Sequence, residues 1–388
     1  MILRLAFKNT LGAGLRTWLN VIVLSIAYVL IIGMQGLYRG MNDQASQARI
    51  SQELGGGQYW HPQYDPYDPM TLDEAHGIPP SVLTGLVEAG MATPILCGPA
   101  AIFPEGRIRS VLLRGIEPDQ QILDLPTAQL HSDHPLPIML GARMAASVGV
   151  QVGDELTVRW RDSNGTFDAA DAEVVYIFKS RIPTIDVGQI WLPLQRMQTM
   201  LAIPGQATMV VLQREGDPPE STTDWSFRDL DYLLMELKAM VRSKSVGGGI
   251  MQGLLLAIAL LAIFDSQILS LFRRRREMGT LISLGMTRGN LIGLFTAEGA
   301  LHGIMAMLLG TLYGLPLLTW LALTGIPLPG YSDDWGFALS DRLFPVYGPL
   351  LVLISTLIVF ISVTVISYIP VRRIASLDPT EALRGKVS

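Results

Sequence analysis

Four long apolar stretches alternate with polar segments along the chain. The first lies between Arg16 and Arg39, where no charged residue interrupts a run rich in Val, Ile and Leu. About 20 apolar residues cross the hydrocarbon core of a bilayer. Each stretch reaches that length, so the pattern predicts four transmembrane helices, at residues 17–38, 246–272, 290–323 and 346–369.

The first stretch also has an interpretation as a cleaved signal peptide. Such a peptide has a shorter apolar core, followed by small residues at a cleavage site. The sequence MQGLY at 34–38 follows here instead, and it makes a poor cleavage site. We therefore predict that the stretch is retained as a membrane span.

Basic residues orient the four spans. Cytoplasmic segments of membrane proteins carry the excess of Lys and Arg. Such residues precede the first span in 1–16, lie between the second and third spans in 273–289, and follow the fourth in 370–388. We predict that these segments are cytoplasmic, with an amphipathic helix at 1–16. The segments 39–245 and 324–345 are then periplasmic.

The segment 39–245 has the composition of a folded domain. Residues 40–244 hold 26 of the 34 acidic residues but only 15 of the 29 basic ones, and 17 of the 24 prolines lie in the segment. Short β-branched or aromatic runs predict strands. They lie at 110–116, 154–160, 172–178, 189–194 and 207–213. A helix is predicted at 140–150, and stalk helices at 41–53 and from about Trp225. The predicted fold is an α-helical membrane protein with four transmembrane helices and a large inserted α/β extracytoplasmic domain.

Few residues of this domain suggest chemistry. His131 and His134 flank Asp133 and could bind a metal ion, but two loop histidines without further ligands are more typical of a solvated surface. The single cysteine, Cys97, cannot form an internal disulfide. No Ser/His/Asp arrangement stands out, so we predict no catalytic, cofactor-binding or metal-binding residue in this chain.

The segment 273–289 has an amphipathic helical pattern. Its apolar positions Met278, Leu281, Ile282 and Gly285 follow the spacing i, i+3, i+4, i+7. One interpretation is a helix at the membrane surface, and the other is a coupling helix that docks on an ATPase. The chain has no G-x-x-x-x-G-K-[ST] motif that would bind nucleotide phosphates. Any ATP hydrolysis is therefore expected on another chain.

Two acidic residues, Asp265 and Glu298, lie in or at the edges of predicted spans. Charged groups at that depth are costly and usually face protein or water. They could belong to a conduction pathway, but we predict that they make hydrogen bonds between helices.

Two motifs and the order of the spans carry a resemblance. The chain resembles the FtsX/MacB/LolC family of ABC permeases in three features. They are the sequence RRRREMGTLISLGMTRGNLIGLFTAEG at 273–299, the sequence YIPVRRIASLDPTEALRG at 368–385, and the order of one span, a large domain and three further spans. The resemblance implies an ATPase-coupling loop formed by Arg275, Arg276, Glu277, Gly279, Gly285, Met286 and Arg288. Glu298 matches an acidic residue at the start of the third span. The C-terminal motif is carried by Pro370, Arg372, Arg373, Asp378, Pro379, Glu381, Ala382, Leu383 and Arg384. Val371, Met278 and Met286 depart conservatively from the pattern.

Two stretches of the inserted domain, 112–125 and 137–158, resemble the lipoprotein-releasing LolC/LolE branch of this family. The resemblance implies a non-catalytic subunit of the bacterial inner membrane that extracts lipoproteins or lipid-like substrates from the outer leaflet by mechanotransmission. Its implied partners are two copies of an ATPase subunit that binds ATP-Mg, a second permease subunit that is identical or a sister, a periplasmic carrier or adaptor, and membrane lipid, with no nucleic acid. Two alternatives remain open, which are MacB-like efflux of drugs or peptides and FtsX-like signalling to a cell-wall hydrolase.

Overall fold

The computed structural model describes residues 14–180, 182–214, 224–327 and 342–375. These form two compact units, which are described separately. The membrane-spanning unit comprises 14–41, 240–327 and 342–375, and the α/β unit comprises 42–239. Most of the predicted N-terminal helix at 1–16, of the loop at 324–345 and of the tail at 370–388 lies outside the described residues.

Helices of very different length occur in the two units. In chain order, the α-helices of the described residues are α1 (Gly14–Arg49), α2 (Ser81–Glu88), α3 (Ala142–Val148), α4 (Pro183–Gly188), α5 (Leu194–Met200), α6 (Leu230–Leu233), α7 (Met235–Arg273), α8 (Arg275–Ser283), α9 (Arg288–Thr324) and α10 (Pro349–Ala375). By length and composition, α1, α7, α9 and α10 are able to cross a membrane. Each helix is longer than the apolar stretch that predicted it. In particular, α1 continues to Arg49 and ends in a π-helical turn at Ile50–Leu54.

Small residues let the helices of the membrane-spanning unit pack closely. A Cβ atom added at Gly310 would lie 2.8 Å from the ring of Tyr28, and one added at Gly314 would lie 2.6 Å from Val29. Glycine at such positions brings backbones together where lipid supplies no hydrophobic driving force. A hydrogen bond of 2.9 Å between Tyr28 and Thr356 links α1 to α10. These contacts fix α1 against α9 and α10.

The α/β unit is built on one twisted sheet of nine strands. In chain order, they are β1 (Gln58–Trp60), β2 (Ala92–Ile102), β3 (Arg109–Ile116), β4 (Pro137–Gly141), β5 (Glu155–Arg161), β6 (Phe167–Phe178), β7 (Gln189–Pro193), β8 (Met209–Leu212) and β9 (Ser226–Arg228). The strand order is β3-β7-β4-β6-β5-β2-β8-β1-β9, and β2 also pairs with β3. Six strands therefore form a closed ring of pairings. The membrane-spanning unit has one small pairing of its own, between β10 (Ile326–Pro327) and β11 (Arg342–Leu343).

Side chains on both faces of the sheet are buried. Leu113, Ile138 and Ile190 belong to one apolar cluster, and Cys97, Met139 and Trp191 belong to another on the opposite face. Adjacent residues of a strand point to opposite faces, and here each face is covered. Strands β4 and β7 are therefore buried on both faces, whereas β5 exposes every second residue.

The structure corrects the predicted elements at two places. The predicted stalk from Trp225 begins as a strand, because Tyr59 and Phe227 pair in register between β1 and β9. The helix starts later, where the Asp229 side chain accepts a hydrogen bond of 2.8 Å from the backbone N–H of Tyr232. The predicted helix at 140–150 begins only at Ala142, since Leu140 and Gly141 belong to β4. In the α/β unit, strands β1, β2, β4 and β9 and helices α2, α4 and α5 were not predicted.

Candidate functional site

The helix α8, which carries the predicted coupling loop, is bounded by a turn. Gly285 has a φ of +95°, a conformation that glycine adopts without a steric penalty. Its N–H donates to the carbonyl of Ile282, and the N–H of Met286 donates to that of Leu281. Thr287 then caps α9 by accepting a hydrogen bond from the backbone N–H of Asn290. The predicted segment 273–289 is thus a short helix and a turn, and Arg288 already belongs to α9.

The apolar side of α8 packs on three other helices. Met278 is 4% exposed and lies in a cluster with the side chains of Leu271 in α7, Phe295 in α9 and Val371 in α10. Leu281 and Ile282 are half-buried against the same cluster. The structure therefore brings the two motif segments, which are about 90 residues apart in the sequence, into contact through an apolar core.

Arg274 holds α8 against α9. Its Nη1 donates to both carboxylate oxygens of Glu298 at 2.9 Å, and its Nε donates to Glu277 at 2.8 Å. The guanidinium also lies 4.9 Å from the centre of the Phe295 ring. The Glu298 side chain is only 9% exposed, so its carboxylate is largely shielded from water. The attraction to a partner offsets the lost hydration only when the two groups are well positioned. Arg274 is absent from the predicted site residues, because nothing distinguishes it from the other three arginines in the run.

The two membrane-embedded acids differ in their surroundings. Glu298 has the hydrogen bond between helices that was predicted for it. Asp265 is exposed on α7, and it makes no hydrogen bond or ion pair with any residue that the structure describes. The hydrogen bond between helices therefore stays a prediction for Asp265.

The outer side of α8 is polar, with one apolar protrusion. Arg276, Glu277 and Arg288 are exposed, whereas two other predicted residues, Gly279 and Met286, face inward. The side chain of Arg275 lies outside the described part of the chain. Leu284 is 84% exposed at the end of α8 and was not predicted. One signal in the sequence indicates it, because Leu284 is an apolar residue that lies outside the i, i+3, i+4, i+7 spacing of the buried side.

The C-terminal motif is described only in its first part. Val371 is buried against α8, whereas Arg372 and Arg373 are exposed in the last turn of α10. Pro370 lies inside the same helix. The predicted motif residues Asp378, Pro379, Glu381, Ala382, Leu383 and Arg384 lie outside the described residues.

The histidines and the cysteine of the α/β unit have structural surroundings. His131 contacts Asp119 at 2.8 Å on the surface. Among the described residues, no group of three His, Cys, Asp or Glu side chains is placed to hold a metal ion. Cys97 is fully buried, and burial raises the pKa of its thiol. A protonated, buried thiol is a poor nucleophile.

Comparison with known proteins finds relatives for the part of the chain that forms this cluster. Residues 249–379 match the family described as FtsX-like permease C-terminal. This range includes every residue of the cluster around Met278. The lipoprotein-releasing system transmembrane protein LolC of Xylella fastidiosa (strain 9a5c) is 23% identical over 80% of this chain and 83% of its own length. The chain is a distant member of the FtsX/LolC-type permease family. LolC of Neisseria meningitidis serogroup B is also 23% identical, over 59% of this chain and 61% of its own length.

The family assignment confirms the predicted resemblance. The protein is a multi-pass permease subunit of an ABC transporter, and such permeases are non-catalytic components. The family implies a partner ABC ATPase and a second permease subunit.

Proposed function

We propose that this permease extracts lipoproteins or lipid-like molecules from the outer leaflet of the bacterial inner membrane and passes them to a periplasmic carrier. The observation that supports the proposal most is the extent of the likeness to LolC. The alignment covers 80% of the chain, which is more than the membrane-spanning unit alone contains. It therefore extends into the α/β unit, where a carrier would bind.

In this proposal, α8 receives the mechanical input. The ATPase subunit binds ATP-Mg and docks on the exposed residues of α8 around Leu284. Closure of the two ATPase copies then moves α8, and the Arg274–Glu298 pair and the cluster around Met278 carry the displacement to α7, α9 and α10. Two of the spanning helices, α1 and α7, also contain residues of the α/β unit, so motion is passed along continuous helices. A substrate in the outer leaflet need not cross the membrane.

The arginines support an orientation with α8 on the cytoplasmic side. The exposed Arg273, Arg276, Arg372 and Arg373 all lie at the end of the spans that holds α8. The positive-inside rule assigns that end to the cytoplasm. In the orientation that we propose, the α/β unit is periplasmic and the termini are cytoplasmic.

Depletion of the permease in its native bacterium tests the proposal. We expect lipoproteins destined for the outer membrane to accumulate in the inner-membrane fraction, as measured by membrane fractionation and immunoblotting. A permease variant that does not bind its ATPase should cause the same accumulation of lipoproteins. Unchanged lipoprotein distribution would refute the proposal. Loss of drug resistance in that case would favour efflux, and defective cell separation would favour signalling to a hydrolase.

A further inference from the structure

Both helices that the two units share contain glycines in their membrane-spanning part, and in α1 close packing requires them. A Cβ atom at Gly36 would overlap the ring of Tyr347, and one at Gly40 would overlap the carbonyl group of Phe344. The carbonyl of Gly36 also accepts a hydrogen bond of 2.9 Å from the backbone N–H of Val346. The segment that precedes α10 therefore packs directly on the backbone of α1.

Packing does not explain the glycines of α7. The sequence has three in succession at 247–249, which we call the glycine triplet, and a fourth at Gly253. Of these four, only Gly248 is crowded, because a Cβ atom there would overlap the ring of Tyr38 in α1. A Cβ atom at any of the other three would meet no described atom within 4 Å. In a helix interior, glycine is less favourable than any other residue except proline. The triplet therefore weakens α7 without a gain in packing at two of its three positions.

The surrounding part of α7 also lacks the packing that stabilises a helix. In the segment 242–258, all of which the structure describes, no residue is buried. The nearest buried residues of α7 are Val241 and Ala259. In α1, by contrast, Gly36, Gly40 and Met41 are buried. Most helical stability in proteins comes from tertiary packing. Within this chain, the segment 242–258 is therefore held mainly by its own backbone hydrogen bonds.

The triplet lies where water can compete for those hydrogen bonds. It begins at the edge of the apolar stretch 246–272, directly after the polar sequence RSKS at 242–245. Glycine exposes the backbone to water. The Ser245 Oγ also donates at 2.7 Å to the carbonyl of Arg242, and such bonds compete with the backbone bonds of a helix. Farther into the hydrocarbon, where Gly253 lies, each freed backbone group would have no water to replace its partner.

We propose that the glycine triplet is a hinge at which α7 opens locally, with the contact between Gly248 and Tyr38 as its pivot, while α1 stays helical. Both sides of this contact belong to the membrane-spanning unit. The role of the hinge in transport rests on the proposed function. When the ATPase moves the spans, α1 passes the motion on as a rigid helix, and α7 changes direction at the triplet. Hinges in proteins are a few residues that absorb large changes in φ and ψ.

A rival explanation concerns the side of α7 that carries Gly249 and Gly253. Both are exposed, and they have the spacing at which small residues let two membrane helices approach closely. A contact with a second permease subunit on this side would depend on Gly249 and Gly253, whereas the hinge depends on the triplet. Substitution of Gly253 therefore separates the two explanations.

Hydrogen exchange tests the hinge without any substrate, on the full-length permease assembled with its ATPase in nanodiscs. Exchange reports local opening, which is expected where buried contacts are few. We expect the amides of 244–252 in α7 to be protected at least about tenfold less than those of 33–41 in α1. The double substitution Gly247→Ala and Gly249→Ala should raise the protection of 244–252 at least about tenfold, because alanine favours the helix. Both positions have room for the added Cβ atom.

Gly253→Ala is the matched control, because Gly253 has the same open surroundings in the same helix but lies outside the triplet. We expect it to change the protection of 244–252 by less than about twofold. Equal protection of 244–252 and 33–41, or protection that the double substitution leaves unchanged, would overturn the hinge. The rival explanation would replace it if Gly253→Ala raised protection as much as the double substitution and lowered recovery of the second permease subunit.

Transport is measured separately, as ATP-driven release of lipoproteins from proteoliposomes to the carrier. We expect the double variant to release at least about threefold less than the unaltered permease, because the stiffened α7 no longer changes direction. Co-purification of the ATPase and the thermal unfolding midpoint should not fall. Equal release from the two proteins would overturn the role of the hinge in transport. Absence of release by the unaltered permease would instead contradict the proposed function, and the exchange measurements would still decide whether the hinge exists.

Discussion

Each unit has an arginine that is paired with a buried glutamate, and the two arginines differ in how completely the protein satisfies them. In the membrane-spanning unit, Arg274 donates to Glu298 and Glu277 and lies over Phe295. In the α/β unit, Arg114 also lies over a ring, that of Trp191, but it shares one carboxylate with Arg49, and its Nε and Nη1 have no acceptor among the described residues. The first arrangement is closed and positions helices. The second is incomplete, because two buried donors have no acceptor among the described residues.

The difference shows that burial of a charge does not by itself reveal its role. Where every donor of an arginine has an acceptor, removal of one partner leaves a charge uncompensated and destabilises the protein strongly. Where some donors have no acceptor, the folded protein already bears part of the free-energy cost of burying them. Substitution of the arginine by an apolar side chain of similar length then has little effect on folding. The two arginines therefore predict opposite responses to mutation.

The largest effect is expected for Glu298→Gln. The change removes the negative charge that faces Arg274, and breaking a buried pair costs roughly 3 to 5 kcal/mol. Arg274 keeps its bond to Glu277, and its side chain is 23% exposed. We therefore expect a smaller loss of about 2 to 3 kcal/mol in the free energy of unfolding. Unfolding in detergent micelles titrated with SDS measures it.

Glu277→Gln is the matched control for this change, because Glu277 contacts the same arginine but its side chain is 63% exposed. We expect a loss of no more than about 0.5 kcal/mol, as for other solvent-exposed ion pairs. Equal losses in the free energy of unfolding for the two variants would show that the burial of Glu298 does not increase its contribution to stability. The contrast with Arg114 would then fail.

The next effect concerns the docking proposed for α8. Leu284→Asp places a charge on the protruding apolar residue, and burial of a leucine side chain contributes about 1.5 to 3 kcal/mol. We expect co-purification of the ATPase subunit to fall at least about tenfold, while the thermal unfolding midpoint of the permease stays the same. Ile78→Asp, at a residue of the α/β unit that is 72% exposed, should leave co-purification intact. Equal recovery of the ATPase from both variants would argue against docking at α8.

The spans could be predicted because length and hydropathy are sufficient to identify them. The inward side of α8 could also be predicted, since Met278, Leu281 and Ile282 recur at helical spacing on one face. Which of the four arginines pairs with Glu298 could not be predicted. Four adjacent arginines have the same chemistry, and only the backbone turn between α7 and α8 directs Arg274 towards Glu298.

Two features of the α/β unit explain what the sequence did not reveal there. Strand β2 contains Pro94 and Pro99, and proline within a run normally argues against a central strand. Arg114 lies at one of the alternate positions of β3, and in a sheet with one covered face such positions would face solvent. Because both faces are covered here, those positions are buried, and this depends on loops and helices distant in sequence.

The smallest effect is expected for Arg114→Met. Met removes two unsatisfied donors and fills the same space, while Glu53 keeps its bond to Arg49. Removal of one partner of a buried ion pair is strongly destabilising when the other charge is left uncompensated, and Glu53 is not left so. We expect the free energy of unfolding to change by less than about 1 kcal/mol, with the midpoint unchanged or raised. A loss comparable to that of Glu298→Gln would show that Arg114 is fully satisfied in the folded protein, and the contrast between the two arginines would fail.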